Sequence, residues 1–188
     1  MPEDEIRMNI YLIGYRCSGK TTIGRSLANQ LQWSFIDADE ILVEQYQESI
    51  SEMVTREGWT AFRQKEKEII RRLSRCHQHV IATGGGVILD QDNIRVMKSS
   101  GTVVWLQASV ASIEKRMAYD VKTGNQRPAL TSGELRQEIE KTLQDRLPLY
   151  QSAMDLSVRT DELAIDEICR IVISKIKMPD PIHHLPAS

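Results

Sequence analysis

Residues Gly14-Tyr15-Arg16-Cys17-Ser18-Gly19-Lys20-Thr21 fit the pattern G-x-x-x-x-G-K-[ST] at every position. This octapeptide constrains the fold more than any other stretch of the chain, because it binds phosphate only between a strand and a helix. Both are expected here. Met8-Asn9-Ile10-Tyr11-Leu12-Ile13 is an apolar run of strand length, and after the loop Ile23, Leu27, Ala28 and Leu31 recur at helical spacing. Glycines let backbone N–H groups converge on phosphate oxygens, and the helix N-terminus adds partial positive charge. Arg16, Cys17, Ser18, Gly19, Lys20, Thr21 and Thr22 are therefore candidates for contact with a nucleotide. Lys20 should reach the terminal phosphates, and the Thr21 hydroxyl should ligate Mg2+.

The rest of the chain alternates strands with helices. Trp33–Asp37, Val80–Thr83, Thr102–Leu106 and Leu156–Arg159 read as four further strands. Helices are expected near 40–46, 50–58, 59–75, 90–100, 109–117, 133–152 and 165–176, with a break at Gly58 and a kink or break at Pro148. Such alternation implies an α/β fold with a parallel sheet covered on both faces. Ligands then sit at the C-terminal edge of the strands. The phosphate loop, Asp37-Ala38-Asp39 and Gly84-Gly85-Gly86 each follow a strand directly, so all three map to that edge. Residues 118–132 are polar and aperiodic, and they are expected to form a lid. One domain over 1–177 is expected, with 178–188 as a proline-rich tail outside it.

Bulk properties narrow the function. A net charge of −2 gives no field to draw nucleic acid or a membrane surface. Three cysteines, far apart, lack metal spacing and suit a reducing, cytoplasmic compartment. No apolar run approaches membrane-spanning length.

Several side chains carry two readings at this level. Asp37 can assist the metal and Asp39 can act as general base, or the two can be a helix cap and a surface carboxylate. Arg63 and Glu66, three apart on one helix, can be a surface ion pair or an arginine braced to bind an anion. The three glycines permit close approach of a ligand to backbone, or form a turn. Arg127, in the expected lid, and Arg146, on a helix, can be solvated or can face phosphate and substrate.

Taken together, the ordered set resembles the shikimate kinase family. The resemblance runs from Asn9 to about Ile176. It rests on Gly14–Thr21, Phe35-Ile36-Asp37-Ala38-Asp39, Phe62-Arg63-Gln64-Lys65-Glu66, Gly84-Gly85-Gly86-Val87, Arg127-Pro128-Ala129-Leu130 and Arg146-Leu147-Pro148-Leu149-Tyr150. It implies a three-layer P-loop kinase fold, like that of the nucleoside monophosphate kinases, with five parallel strands in the order 2-3-1-4-5. It also implies ATP-dependent phosphorylation of the shikimate 3-hydroxyl, with Mg2+, by a cytoplasmic monomer. By the same resemblance Asp39 binds and orients the ring hydroxyls, and Arg63 and Arg146 hold the carboxylate. Gly84, Gly85 and Gly86 approach the substrate, Glu66 braces the pocket, Thr21 and Asp37 serve the metal, and Lys20 and Arg127 reach the phosphates. Arg116 is the candidate for stacking on adenine, since the segment after Thr160 lacks the arginine some members have there. The chain departs from the common pattern at Arg16, at Thr21 (usually serine) and at Ala129 (usually leucine). The nearest rival is a gluconate kinase of the same fold; a non-catalytic nucleotide-binding relative is the other.

Overall fold

Five consecutive buried residues, Asn9–Ile13, form the central strand β1. In the structure, a computed structural model that describes residues 8–122 and 132–176, β1 lies between β3 (His79–Ala82) and β4 (Gly101–Gln107). The outer strands are β2 (Ser34–Asp37), paired with β3, and β5 (Leu156–Arg159), paired with β4. All four pairings are parallel and the order is 2-3-1-4-5.

The alternation of side chains along β1 divides the core between the two faces. Tyr11 and Ile13 join Ile81, Val103 and Trp105 on one face. That face is covered by α2 (Ala38–Tyr46), α3 (Ile50–Leu73), α4 (Gln91–Ser100) and the end of α6 (Ser132–Ala153). Ile10 and Leu12 join Val80, Val104 and Leu106 on the other, under α1 (Lys20–Leu31) and α7 (Ile165–Lys175). A smaller cluster, Tyr15, Ile113, Met117 and Ile139, packs α5 (Val110–Lys122) and α6 beside the phosphate loop.

Local sequence explains most of the boundaries. Ser49 and Glu52 form a reciprocal capping box at the start of α3. Gly58, at φ 81 and ψ 169, interrupts that helix where the break was expected. Ser109 caps α5, its hydroxyl accepting from Ser112 N at 3.2 Å.

One expectation holds and one changes. Pro148 lies inside α6, which covers the expected 133–152 and runs to Ala153. Tyr150 and Ala153 beyond it are buried, and the Tyr150 ring stacks on Trp105 at 5.1 Å. Packing against the sheet thus outweighs the missing backbone donor. Helix α5 runs five residues past Met117, so 118–122, expected as the start of the lid, are helical. Arg127, the remainder of that segment before α6, and the 178–188 tail lie outside the described residues.

Candidate active site

The phosphate loop occupies the turn from Ile13 to Lys20. Three of its residues have left-handed or otherwise positive φ: Gly14 at 149, Cys17 at 58 and Gly19 at 97. Gly19 is the N-cap of α1 and offers no side chain to the first-turn N–H groups. Those donors are left for a ligand. Lys20 Nζ donates to the carbonyls of Gly14 at 3.0 Å and Tyr15 at 2.9 Å, folding back along the loop. Burial pushes its pKa below the ordinary lysine value, while Asp39 and Asp37 pull it up.

Asp37 ends β2 and caps α2. Its Oδ1 accepts from Asp39 N at 3.1 Å, and its Oδ2 accepts from the Thr21 hydroxyl at 2.8 Å. The capping and the functional readings of this residue are therefore compatible. A hydroxyl and a carboxylate, both hard oxygen donors, meet at one point on the wall of a cavity of about 960 Å³. That donor set fits magnesium, which takes one or two protein oxygens and completes its shell with water and substrate phosphates. Lys20, Thr21, Thr22, Asp39 and Arg116 also line this cavity.

A second cavity, about 220 Å³, lies on the far side of Asp39. Arg63 and Arg146 face it from α3 and α6, with Trp59 and Phe62 as its apolar wall. Arg63 Nη1 donates to Glu66 Oε2 at 2.6 Å, and its guanidinium lies 5.3 Å from the Trp59 ring centroid and 5.1 Å from that of Phe62. Glu66 is only 3% exposed, and its other oxygen, Oε1, is buried with no hydrogen-bond partner among the described residues. Burial raises the Glu66 pKa; Arg63 opposes this, and Asp39 and Asp90 add to it. Arg146 Nη1 and the Tyr150 hydroxyl both donate to Gly85 O, at 2.9 and 3.2 Å. Burial pushes the Tyr150 pKa up to about 12, so its hydroxyl stays a donor at neutral pH.

Crowding accounts for two of the three glycines. A Cβ on Gly84 would stand 2.7 Å from Glu66 Oε1 and 2.9 Å from Asp39 Oδ1, and one on Gly86 would overlap the Arg63 guanidinium. Arg16, Asp39 and Gly85 line both cavities and mark where they meet. A phosphate chain in the larger and a small anion in the smaller would thus confront each other beside a carboxylate.

Of the described residues singled out from the sequence, all but Ser18 line one cavity or the other; the Ser18 side chain is buried beneath the loop. Arg116 has a further engagement that the sequence did not suggest: it donates to backbone carbonyls of Cys17 and Thr160. Sequence reasoning also passed over Trp59, Thr142 and Glu138, which line the smaller cavity. Trp59 lies one helical turn before Arg63, a spacing that places the two on one face. Nothing local marked Glu138, whose partner Arg16 is distant in sequence, at 3.3 Å.

A family model described as shikimate kinase matches residues 16–177. The chain belongs to the shikimate kinase family. As a member it is an ATP-dependent kinase. A shikimate kinase of Rhodopirellula baltica is 36% identical over 174 residues, covering 92% of this chain and 93% of that one. A shikimate kinase 2 of Sodalis glossinidius is 40% identical over 146 residues, covering 77% and 82%. The solved shikimate kinase of Acinetobacter baumannii in complex with shikimate superposes with a TM-score of 0.80 at 31% identity, covering 92% of this chain and 97% of its own. A gluconokinase of Sinorhizobium meliloti, at TM-score 0.53 and 20% identity, shares the fold alone.

Proposed function

We propose that this family member transfers the γ-phosphoryl group of ATP to the 3-hydroxyl of shikimate, giving shikimate 3-phosphate and ADP. The meeting of the two cavities at Asp39 and Gly85, with Lys20 on one side and Arg63 and Arg146 on the other, carries the reading. A ring acid with several hydroxyls needs arginines at one end and a carboxylate at the other, and the smaller cavity supplies both.

In this reading the paired guanidinium groups of Arg63 and Arg146 bind the shikimate carboxylate with planar, bidentate geometry. Glu66 holds Arg63 in place, and the Trp59–Phe62 wall packs the ring. Asp39 orients the 3-hydroxyl and takes its proton as the oxygen bonds to the γ-phosphorus. The bond from that phosphorus to the bridging oxygen breaks, and ADP leaves with the electron pair. Lys20 exchanges the Gly14 and Tyr15 carbonyls for phosphate oxygens and stabilises the charge that builds there. Thr21 and Asp37 would hold magnesium, whose charge, when bound, offsets that of the β- and γ-phosphates. Arg127 is assigned to the phosphates from its motif, and Arg116 to the nucleotide from its place on the cavity wall. The three cysteines carry thiols, which supports a reducing, cytoplasmic setting, and among the described residues no helix is long and apolar enough to cross a membrane.

The test is ADP release from ATP and magnesium with shikimate or gluconate as acceptor. Shikimate-dependent turnover is expected, falling by about 10²-fold or more in Asp39→Asn. Turnover with gluconate instead, or undiminished turnover in Asp39→Asn, would contradict the substrate or the base assignment respectively.

A further inference from the structure

In a loop whose amides converge on phosphate, whatever holds the outward carbonyls also holds the amides. Two residues remote in sequence do this here. Arg116, on α5, donates from Nη1 to Cys17 O at 3.1 Å. Thr160, just after β5, places its hydroxyl 3.3 Å from Ser18 O and 3.0 Å from Gln107 O. Gln107 O already accepts the Thr160 amide at 2.8 Å. The hydroxyl's single proton therefore satisfies more groups when it is given to Ser18 O.

The two residues are also joined to each other. Arg116 Nη1 donates to Thr160 Oγ1 at 3.3 Å and Nη2 to Thr160 O at 3.0 Å. Next to Thr160, Asp161 accepts from Ser109 N at 2.9 Å and Ser109 Oγ at 3.0 Å. That ties the start of α5 to the same turn. Thr160 is itself 5% exposed and is not part of the cavity wall, whereas Arg116 is.

We propose that Thr160 is a positioning residue for nucleotide binding: through Ser18 O and Arg116 it locks the phosphate loop and the α5 side of the nucleotide cavity into one unit. Nucleotide phosphates then meet a preformed set of amides, and Thr160 touches none of them. This rests on the nucleotide site assigned above, and its binding test is run without shikimate so that the two can fail separately.

The experiment compares Thr160→Val, which keeps the shape and removes the donor, with Thr160→Ser, which keeps the donor. Binding of MgADP and of magnesium tripolyphosphate, a probe with no base, is followed by calorimetry. Thr160→Val should weaken both by on the order of ten-fold, and Thr160→Ser should restore them. In steady state the KM for ATP should rise while kcat at saturation and the KM for shikimate stay within about two-fold of the parent values. Should Thr160→Val fail to fold, Thr160→Cys, a weak donor of similar size, should shift both affinities in the same direction. Unchanged tripolyphosphate binding in Thr160→Val, or equal rises in both KM values without rescue by serine, would overturn the proposal. A parent protein that binds no MgADP would overturn the nucleotide site and this proposal with it.

Discussion

Thr21 donates its hydroxyl proton to Asp37 across 2.8 Å, joining the first turn of the helix after the phosphate loop to the end of β2. The other oxygen of Asp37 receives the amide of Asp39. One carboxylate thus sets both the proposed metal site and the backbone that carries the proposed base. Asp37→Asn should raise the magnesium concentration for half-maximal rate by roughly ten-fold, as for a partner that orients a metal ligand. Shikimate affinity should change little. Initial rates across a magnesium titration decide it, and an unshifted midpoint would remove Asp37 from the metal site.

The acid pocket should fail selectively. Arg63→Ala removes one guanidinium facing the smaller cavity and leaves the buried Glu66 without its partner. Losing a charged hydrogen bond costs about 1.5–3 kcal/mol, or roughly ten- to a hundred-fold in shikimate Kd. ATP binding should persist in the folded variant. Parallel titrations of shikimate and ADP test this, and equal loss of both ligands in a folded protein counts against a dedicated acid site.

Gly84 and Gly86 should be far less replaceable than Gly133. Gly84→Ala drives a methyl between the Glu66 and Asp39 carboxylates, at 2.7 and 2.9 Å. Both must move, so kcat should drop by about ten-fold or more, in line with ångström-scale misplacement of reacting groups. Gly133→Ala on α6, whose new methyl meets nothing within 4 Å among the described residues, provides the contrast. It should leave turnover intact and raise stability by up to about 1 kcal/mol. Rates and melting temperatures of the two variants, taken side by side, test the crowding directly.

The parallel sheet was legible in the sequence because buried strands read as apolar runs: β5 falls on the expected Leu156–Arg159, and the other strands lie within one or two residues. The phosphate loop was legible because its backbone geometry demands its residue types. What the sequence concealed depends on packing between distant elements. Tyr150 holds α6 past Pro148 by stacking on Trp105, a contact that no local pattern encodes. The last turn of α5, residues 118–122, runs straight into a polar, aperiodic stretch, and one turn is too short to show a period of its own. Arg116 stood out as an adenine partner, yet its bonds to Cys17 and Thr160 span much of the chain. Those contacts exist only once β4 and β5 have joined the sheet on one side of β1.

Glu66 should give the pocket a measurable pH signature. It is 3% exposed, one oxygen takes Arg63 at 2.6 Å, and the other has no partner among the described residues. Burial raises its pKa above the ordinary glutamate value, against the pull of Arg63, and Asp39 and Asp90 raise it further. In the unfolded chain the group titrates near 4.3, to within about a unit. A pKa that is higher in the folded state means that the folded protein binds the proton more tightly. The resulting stabilisation is fully present below about pH 4.3 and is lost as pH rises through the folded value. Glu66→Gln cannot titrate and has no such slope. The melting temperature of the parent minus that of Glu66→Gln should therefore fall as pH is raised from about 4 towards 7, and level off once Glu66 is ionised in both states. Other carboxylates cancel in the difference, apart from Asp39 and Asp90, which face the same group. Thermal unfolding of both proteins across that range is the measurement. A difference that stays flat would mean that Glu66 ionises as an ordinary carboxylate, and a difference that grows with pH would mean that Arg63 outweighs burial.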